Sequence, residues 1–286
     1  MGFLRPAANP SGGDATRFAD LYAKALDRLS DPRPPLRVGA MHSLEALGQD
    51  HPERRQAIVD VLGAYLRMPP GEDAPVRGTA QRILVAHLRP GGPGFWPGLS
   101  LDLTGAALTE LDLSGSRIDG SLTLDRATFL GAARLRGIIV GGEACLRGTS
   151  FRDHAWFDRA DFQSSVHFDA SVFQADAWFG SARFGARTSF GAVDFGGHAW
   201  FGGCVFNGHV ECGQAVFRRS AGFRGAHVPS IGLTGTTFLR PARVSRRGDS
   251  WNVNAPGWTV VVDPDNESVG SLLWVGHPEL VETTPA

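Results

Sequence analysis

From residue 103 to residue 238 the chain places an apolar side chain every five or six residues without a break. The run passes through Leu103, Leu108, Leu113, Ile118, Leu124, Phe129, Leu135, Val140 and Leu146. It continues through Phe151, Phe157, Phe162, Phe168, Phe173, Phe179, Phe184, Phe190, Phe195, Phe201 and Phe206. Cys212 fills the next slot, followed by Phe217, Phe223, Val228, Leu233 and Phe238. A helix repeats about every 3.6 residues and a half-buried strand about every 2, so this spacing excludes both as long elements. Very short strands joined by a corner at each step satisfy it.

A second period of 22 lies over the first. The segment from 151 reads FRDHAWFDRADFQSSVHFDASV, and the next, from 173, reads FQADAWFGSARFGARTSFGAVD. The third, from 195, reads FGGHAWFGGCVFNGHVECGQAV, and a fourth begins at 217 with FRRSAGFRGAHV. The columns align without gaps. Four faces therefore make one coil, and stacked coils pair backbone to backbone at about 4.8 Å. Small residues two places before the apolar centre, such as Ala155, Ala160, Ala177, Ala182, Ala199, Ala215 and Ala221, leave room for the inward rings. Glycine after many centres suits the corners. The 26 centres between 103 and 238 predict about six and a half coils, a rod about 30 Å long.

The stretches GAALTELDLSGSRI, RATFLG, RADFQS and SARFGA resemble pentapeptide repeats, whose motif is A-(D/N)-L/F-x-x. The resemblance covers residues 99–243. It implies a mainly β fold, a right-handed quadrilateral β-helix. The extra residue on alternate faces departs from the strict motif and predicts a widening or bulge on two opposite faces.

The flanks are different in kind. Residues 1–13 read as a disordered tail. Residues 14–90 read as a small α-helical domain with Pro32, Pro34, Pro35, Pro69, Pro70 and Pro90 at its junctions. Phe18, Leu21, Tyr22, Ala25 and Leu29 form one apolar stripe, and Met41, Leu44 and Leu47 a second. Asp50-His51-Pro52-Glu53 reads as a helix start with Asp50 as its cap, followed by Ile58, Val61, Leu62 and Tyr65; residues 74–88 give a fourth helix. His42, His51 and His87 fall on these helices as surface or satisfied residues. Four short helices of this kind look HEAT-like, and similar regions precede the repeats in many actinobacterial pentapeptide proteins. They are expected to cap the first coil, whose open edge invites aggregation, or to bind a partner. Residues 91–98 form a linker. Residues 244–286 form a C-terminal cap and tail, with a hairpin around Pro264-Asp265-Asn266. That end is either a cap for the last coil or a homodimer contact, as the resemblance suggests.

Two outward columns could carry function. Trp156, Trp178 and Trp200 repeat at 22, each one place before a centre, with His154, Asp176 and His198 beside them. An exposed aromatic stripe marks a partner contact unless a flank covers it. Cys145, His167, Ser189 and Glu211 form the second column, and a Cys beside a His can make an activated nucleophile. Cys204 and Cys212 face inward as small core groups. Neither a zinc spacing nor a phosphate-binding loop is present, so neither metal nor cofactor is expected.

Composition narrows the functional classes. The net charge is −1 with 28 basic residues, of which only Lys24 is lysine, so direct nucleic-acid binding driven by bulk charge is not expected. No apolar run reaches the ~18 residues of a bilayer span, and the start MGFLRPAANPSGG lacks a signal-peptide core, so a cytoplasmic protein is expected. The leading expectation is a non-catalytic, protein-binding scaffold. The resemblance also implies a DNA mimic that protects DNA gyrase, which calls for an acidic rod. Residues 99–243 hold 14 Arg and 13 acidic residues, and Arg134, Arg136, Arg147, Arg152, Arg159, Arg218, Arg219 and Arg224 would oppose a phosphate-binding surface. A third expectation is an enzyme with its site on the Cys145–His167 face or at the domain junction.

Overall fold

The computed structural model describes residues 10–274, leaving out 72, 93, 110, 241, 248–249, 252–257 and 264–265; side chains are described from 14 to 243. Four helices come first: α1 (Pro10–Leu29), α2 (Pro34–Asp50), α3 (Arg55–Arg67) and α4 (Ala74–Leu88). A parallel β-solenoid of about six coils follows, its four faces built from two-residue strands.

The first face stacks Leu101–Asp102, Leu122–Thr123, Ala144–Cys145, Val166–His167, Thr188–Ser189, Val210–Glu211 and Ile231–Gly232. The second runs from Ala107–Leu108 to Thr237–Phe238, and the fourth from Arg117–Ile118 to Val205–Phe206. The third stacks Ala133–Arg134, Ala155–Trp156, Ala177–Trp178, Ala199–Trp200 and Ala221–Gly222. It then continues into Ala242–Arg247, to which Asn266–Trp274 pairs antiparallel, with Trp258–Asp263 outermost. The two runs expected to flank a hairpin turn pair antiparallel and lengthen one face of the solenoid; positions 264–265 of the turn lie outside the described residues.

The register is 22 residues through the middle coils, as in Ala155↔Ala177 and Phe173↔Phe195, and 21 at both ends, as in Leu101↔Leu122 and Val210↔Ile231. Among the described residues the two-residue strands of the four faces pair without a bulge, which corrects that part of the expectation drawn from the extra residue. The residue is taken up at alternate corners. The corners without it hold one left-handed residue each, at positions 105, 115, 126, 137, 148, 159, 170, 181, 192, 203, 214, 225 and 235. Seven of these are glycine, and the other six are Arg126, Arg159, Ala170, Ser181, Ala192 and Gln214, with φ between 53° and 61°. Each of these corners is a four-residue turn closed by a backbone hydrogen bond, as from the Ala160 amide to the Phe157 carbonyl at 3.0 Å, and its third residue takes the positive φ.

Inside, each ring stacks on the ring one coil away. Phe129, Phe151, Phe173, Phe195, Phe217 and Phe238 form one column with centroid separations of 5.2, 4.4, 5.0, 4.7 and 4.6 Å. Phe157, Phe179, Phe201 and Phe223 form a second at 5.0, 4.9 and 4.9 Å. Rings of adjoining columns meet edge to face, as Phe157 and Phe168 do at 5.5 Å and 90°. Such pairs add about 0.5–1.5 kcal/mol each beyond burial. The alanines two places before the centres are fully buried, which lets these rings fill the interior. Cys204 is one of the small inward residues and donates its thiol to the Phe179 carbonyl; Cys212 takes a ring position.

The helices sit on the open edge of the first coil. Gly63 allows α3 to approach the solenoid backbone: a Cβ there would lie 2.7 Å from the Asp102 carbonyl oxygen. Arg67 donates to that carbonyl at 2.9 Å, and the buried Arg77 of α4 donates to the Ala107 carbonyl at 3.1 Å. Gln56 and Arg89 make further bonds to the same edge. Two sequence expectations are corrected. Leu21 is 42% exposed, outside the buried stripe. Asp50 ends α2 and does not cap α3, because Pro52–Arg54 forms a separate 3-10 turn whose preceding residue is His51. His87 is the satisfied kind of histidine that the sequence allowed: buried, stacked on Trp96 at 3.9 Å and bonded to Glu45 at 2.9 Å, at the helix–solenoid junction. No helix among the described residues is long and apolar enough to cross a membrane.

Candidate functional site

The third face gathers the aromatic stripe. Each of its strands presents an alanine inward and the next side chain outward, so the 22-residue register stacks Arg134, Trp156, Trp178, Trp200, Gly222 and Arg243 in one column. All three indoles keep solvent-exposed surface. Trp156 and Trp178 are half-buried against each other, with centroids 5.6 Å apart and rings 11° from parallel. The guanidinium groups of Arg134 and Arg136 lie 5.9 and 5.3 Å from the Trp156 ring, closing the lower end of the stack by cation–π contact. Trp200 leaves the stack. Its ring lies over Gly222, where a Cβ would be 2.9 Å from the indole, and it is 40% exposed. The indole N–H groups of all three find no protein acceptor among the described residues.

On one side of the stripe His154, Asp176 and His198 form the column expected from the sequence, and Ser220 extends it. The Asp176 amide donates to His154 Nδ1 at 3.3 Å, and the His198 amide donates to Asp176 Oδ1 at 2.8 Å. His198 Nδ1 shares a 2.8 Å bond with the Ser220 hydroxyl. These side chains are held by the coil above or below, which fixes them beside the indoles. On the other side runs the column Arg136, Asp158, Gly180, Gly202 and Arg224. Arg136 Nε donates to Asp158 Oδ2 at 3.2 Å. The Asp158 carboxylate lies over Gly180, where a Cβ would be 3.0 Å from Oδ1, and Gly202 one coil higher leaves the backbone open. An open cavity of about 480 Å³ lies at the lower end, lined by Arg136, Gly137, Asp158, Arg159, Gly180 and Ser181.

The first face carries Cys145, His167, Ser189 and Glu211 in register on successive strands. Their polar atoms turn to neighbouring columns and not to one another. His167 Nε2 lies 2.9 Å from Glu143 Oε1, and its Nδ1 is 3.7 Å from Asp169. Ser189 donates to Asp169, and Glu211 Oε1 accepts the Gly213 amide at 2.8 Å. Burial pushes the Cys145 thiol above its ordinary value; Arg147 opposes the shift, and Glu143 and Asp125 add to it. A raised thiol with no base directed at it lacks the features of an activated nucleophile. No cluster of three or more His, Cys, Asp or Glu side chains arranged for a metal ion occurs among the described residues.

Sequence reasoning missed Arg134, Arg136, Gly180, Gly202 and Gly222 as parts of the third-face surface. The signal was available. Carrying the 22-residue period one coil in each direction from the tryptophans reaches Arg134 and Gly222. Comparison with known protein families, with curated proteins and with solved structures finds no match. The fold and site themselves define a class: a helix-capped parallel β-solenoid with an aromatic stripe on one face.

Proposed function

We propose that this protein is a non-catalytic, cytoplasmic, protein-binding scaffold of the pentapeptide-repeat type, with the third face as its contact surface. One observation carries the reading. Three indoles stand outward on successive coils and keep exposed surface, and their N–H donors have no protein acceptor among the described residues. Tryptophan supplies more binding energy per residue than most side chains, and a rigid backbone presents it without ordering cost. The pentapeptide kinship rests on the repeated pairing of a small and a large inward side chain at each face. The cytoplasmic assignment rests on three cysteines that remain free thiols.

The gyrase-mimic alternative draws no comparable support. The carboxylates of the first face are tied up within the chain: Asp102 with Arg67, Asp125 with Arg147, Glu143 with His167, and Asp169 with Ser189. The test of the scaffold is replacement of Trp156, Trp178 and Trp200 by Ser together. The variant is expected to keep the wild-type circular dichroism spectrum and to lose the partners that the wild-type chain captures. An unchanged set of partners disposes of the stripe as the site.

A further inference from the structure

We infer that the upper end of the solenoid binds nucleic acid, holding the phosphate backbone through a cluster of exposed arginines. The inference goes beyond the scaffold reading and does not rest on it. The near-zero charge of the rod conceals a segregation along its axis. All 13 acidic residues of 99–243 fall between Asp102 and Glu211, where they outnumber nine arginines. Residues 212–248 hold seven arginines and no acidic residue. The upper coils are therefore strongly positive and the lower ones negative. A net charge of −1 for the whole chain does not measure that local field.

The register gathers these arginines. Phe217 pairs with Phe238 and Gly222 with Arg243, so Arg218 and Arg219 lie one coil below Leu239 and Arg240 at the corner between the second and third faces. Arg243 stands on the third face itself, above Gly222 and Trp200. Arg224 lies at the opposite corner of that face. All five are exposed. Arg218 is bonded to Asp194 at 2.7 Å, and the other four make no ion pair among the described residues. The strands that extend this face place Asp263 and Glu267 at the far end of their pairing from Arg243, beyond the Ser245↔Val269 pair.

Such a surface suits phosphates better than another protein. Protein interfaces are depleted of charge at their centre, whereas nucleic-acid interfaces are strongly positive. Leu239 is the one large apolar side chain that these coils expose among the described residues. Guanidinium groups hold phosphate oxygens through paired donors, and a convex corner can present them without a groove. Arg219 and Arg240 are one coil apart, about 4.8 Å, so one backbone crossing the corner meets both. Contacts of this kind fix phosphates and do not read bases, so no sequence preference is expected.

The test is fluorescence anisotropy of a labelled dT20 oligonucleotide and of a 20-base-pair duplex, titrated with the full-length chain between 50 and 200 mM salt. Binding of at least one is expected, weakening steeply with salt. The variant Arg219→Gln/Arg240→Gln/Arg243→Gln changes only exposed, unpaired positions and should keep the wild-type circular dichroism spectrum. It is expected to lose at least tenfold in affinity and about two units of logarithmic salt slope, since each phosphate contact contributes about 0.7 on a single strand and about 0.9 on a duplex. Arg152→Gln/Arg183→Gln/Arg187→Gln removes the same charge from lower coils and is expected to stay within threefold of wild type. Binding of neither nucleic acid overturns the inference, and so does an equal loss in the two variants. A labelled polyglutamate 20-mer that binds as tightly as dT20 would show that the arginines serve carboxylates, and so overturn the choice of a nucleic acid.

Discussion

The side-chain amide of Gln56 pairs with the backbone of Ser100 as a neighbouring strand would: Nε2 donates to the Ser100 carbonyl at 3.1 Å, and the Ser100 amide donates to Oε1 at 2.9 Å. Ser100 lies on the lowest coil, where the solenoid has no further coil to pair with. In the coils above, the same carbonyl position is served by backbone, as when the Leu101 amide donates to the Ser121 carbonyl at 2.8 Å. A helix therefore completes a β-ladder with one side chain. An unpaired strand edge is a template for association, so the pairing protects the chain as well as stabilising it.

Replacing Gln56 with Ala leaves a partly buried donor and acceptor at Ser100 without protein partners. We expect a loss of about 1–2 kcal/mol in urea unfolding. Gln56→Glu keeps the shape but cannot donate to the Ser100 carbonyl, and it should fall between the two. Light scattering on partial unfolding should rise in the Ala variant. Equal stability of all three would show that the helix packing alone protects the edge.

Core and stripe should respond in opposite ways to truncation. Phe179 is fully buried and stacks on Phe157 and Phe201 at 5.0 and 4.9 Å. Phe179→Ala should cost about 3–5 kcal/mol through the cavity it leaves. Trp200→Ser, at a ring 40% exposed, should cost under about 1 kcal/mol. Chemical denaturation of the two variants side by side checks the contrast.

The non-glycine left-handed corners are places where stability can be raised. Ala170 has φ of 56° and Ala192 of 53°, a conformation that costs an L-residue about 1 kcal/mol and glycine nothing comparable. Glycine also makes the unfolded chain more flexible, which offsets part of the gain. Ala170→Gly and Ala192→Gly should each stabilise by a few tenths to about 1 kcal/mol. A fall in stability in both would show that the methyl groups contribute packing that outweighs the backbone strain.

Cys145 should alkylate slowly. Burial raises its thiol pKa, so at neutral pH its thiolate fraction lies below that of an ordinary cysteine. Burial pushes Cys204 up to about 12 and Cys212 higher still. Iodoacetamide at pH 7.5 should therefore label Cys145 more slowly than a free thiol, and the other two only on unfolding. Fast labelling of Cys145 would restore the nucleophile as a candidate.

Asp119 ties the linker to the first coil and should contribute to acid stability. Hydrogen bonds from the Gly98 amide at 2.7 Å and from Arg117 hold its carboxyl below the usual carboxylate value. Its folded value is lower than its unfolded one, so its contribution is complete above about pH 4 and is lost as pH falls through the folded value. Asp119→Asn should flatten the acid limb of the stability curve and leave the shape near pH 7 unchanged. A parallel curve for the variant would assign the acid limb to other carboxylates.

The five-and-six lattice was legible in the chain because every coil repeats the same physical demand: one large and one small side chain inward at each face. That demand also assigned Trp156, Trp178 and Trp200 to one outward column before any coordinates, since a 22-residue coil returns each position to the same face. The helices at 34–50 and 74–88 were legible from their apolar spacing and prolines. The start of α3 was not, because the Asp50-His51-Pro52-Glu53 pattern describes a cap equally well for a helix that begins there and for a 3-10 turn that intervenes.

Other features depend on what lies one coil away or across the domain junction, and no local pattern encodes them. The extra residue could have bulged a face or lengthened a corner; stacking decided it, because a bulge would break the ladder on both neighbouring coils while a corner absorbs the residue outside the ladder. Whether the tryptophans stood free or were covered depended on where the helices docked, and they docked on the lower edge of the first coil through Gln56, Arg67 and Arg77. The contact of the Asp158 carboxylate with Gly180 arises from positions 22 apart that stack on successive coils. The sequence by itself determined the coil, its period and which side chains point out. Only the tertiary structure decided which outward side chains have neighbours, because exposure is a property of what packs against a surface.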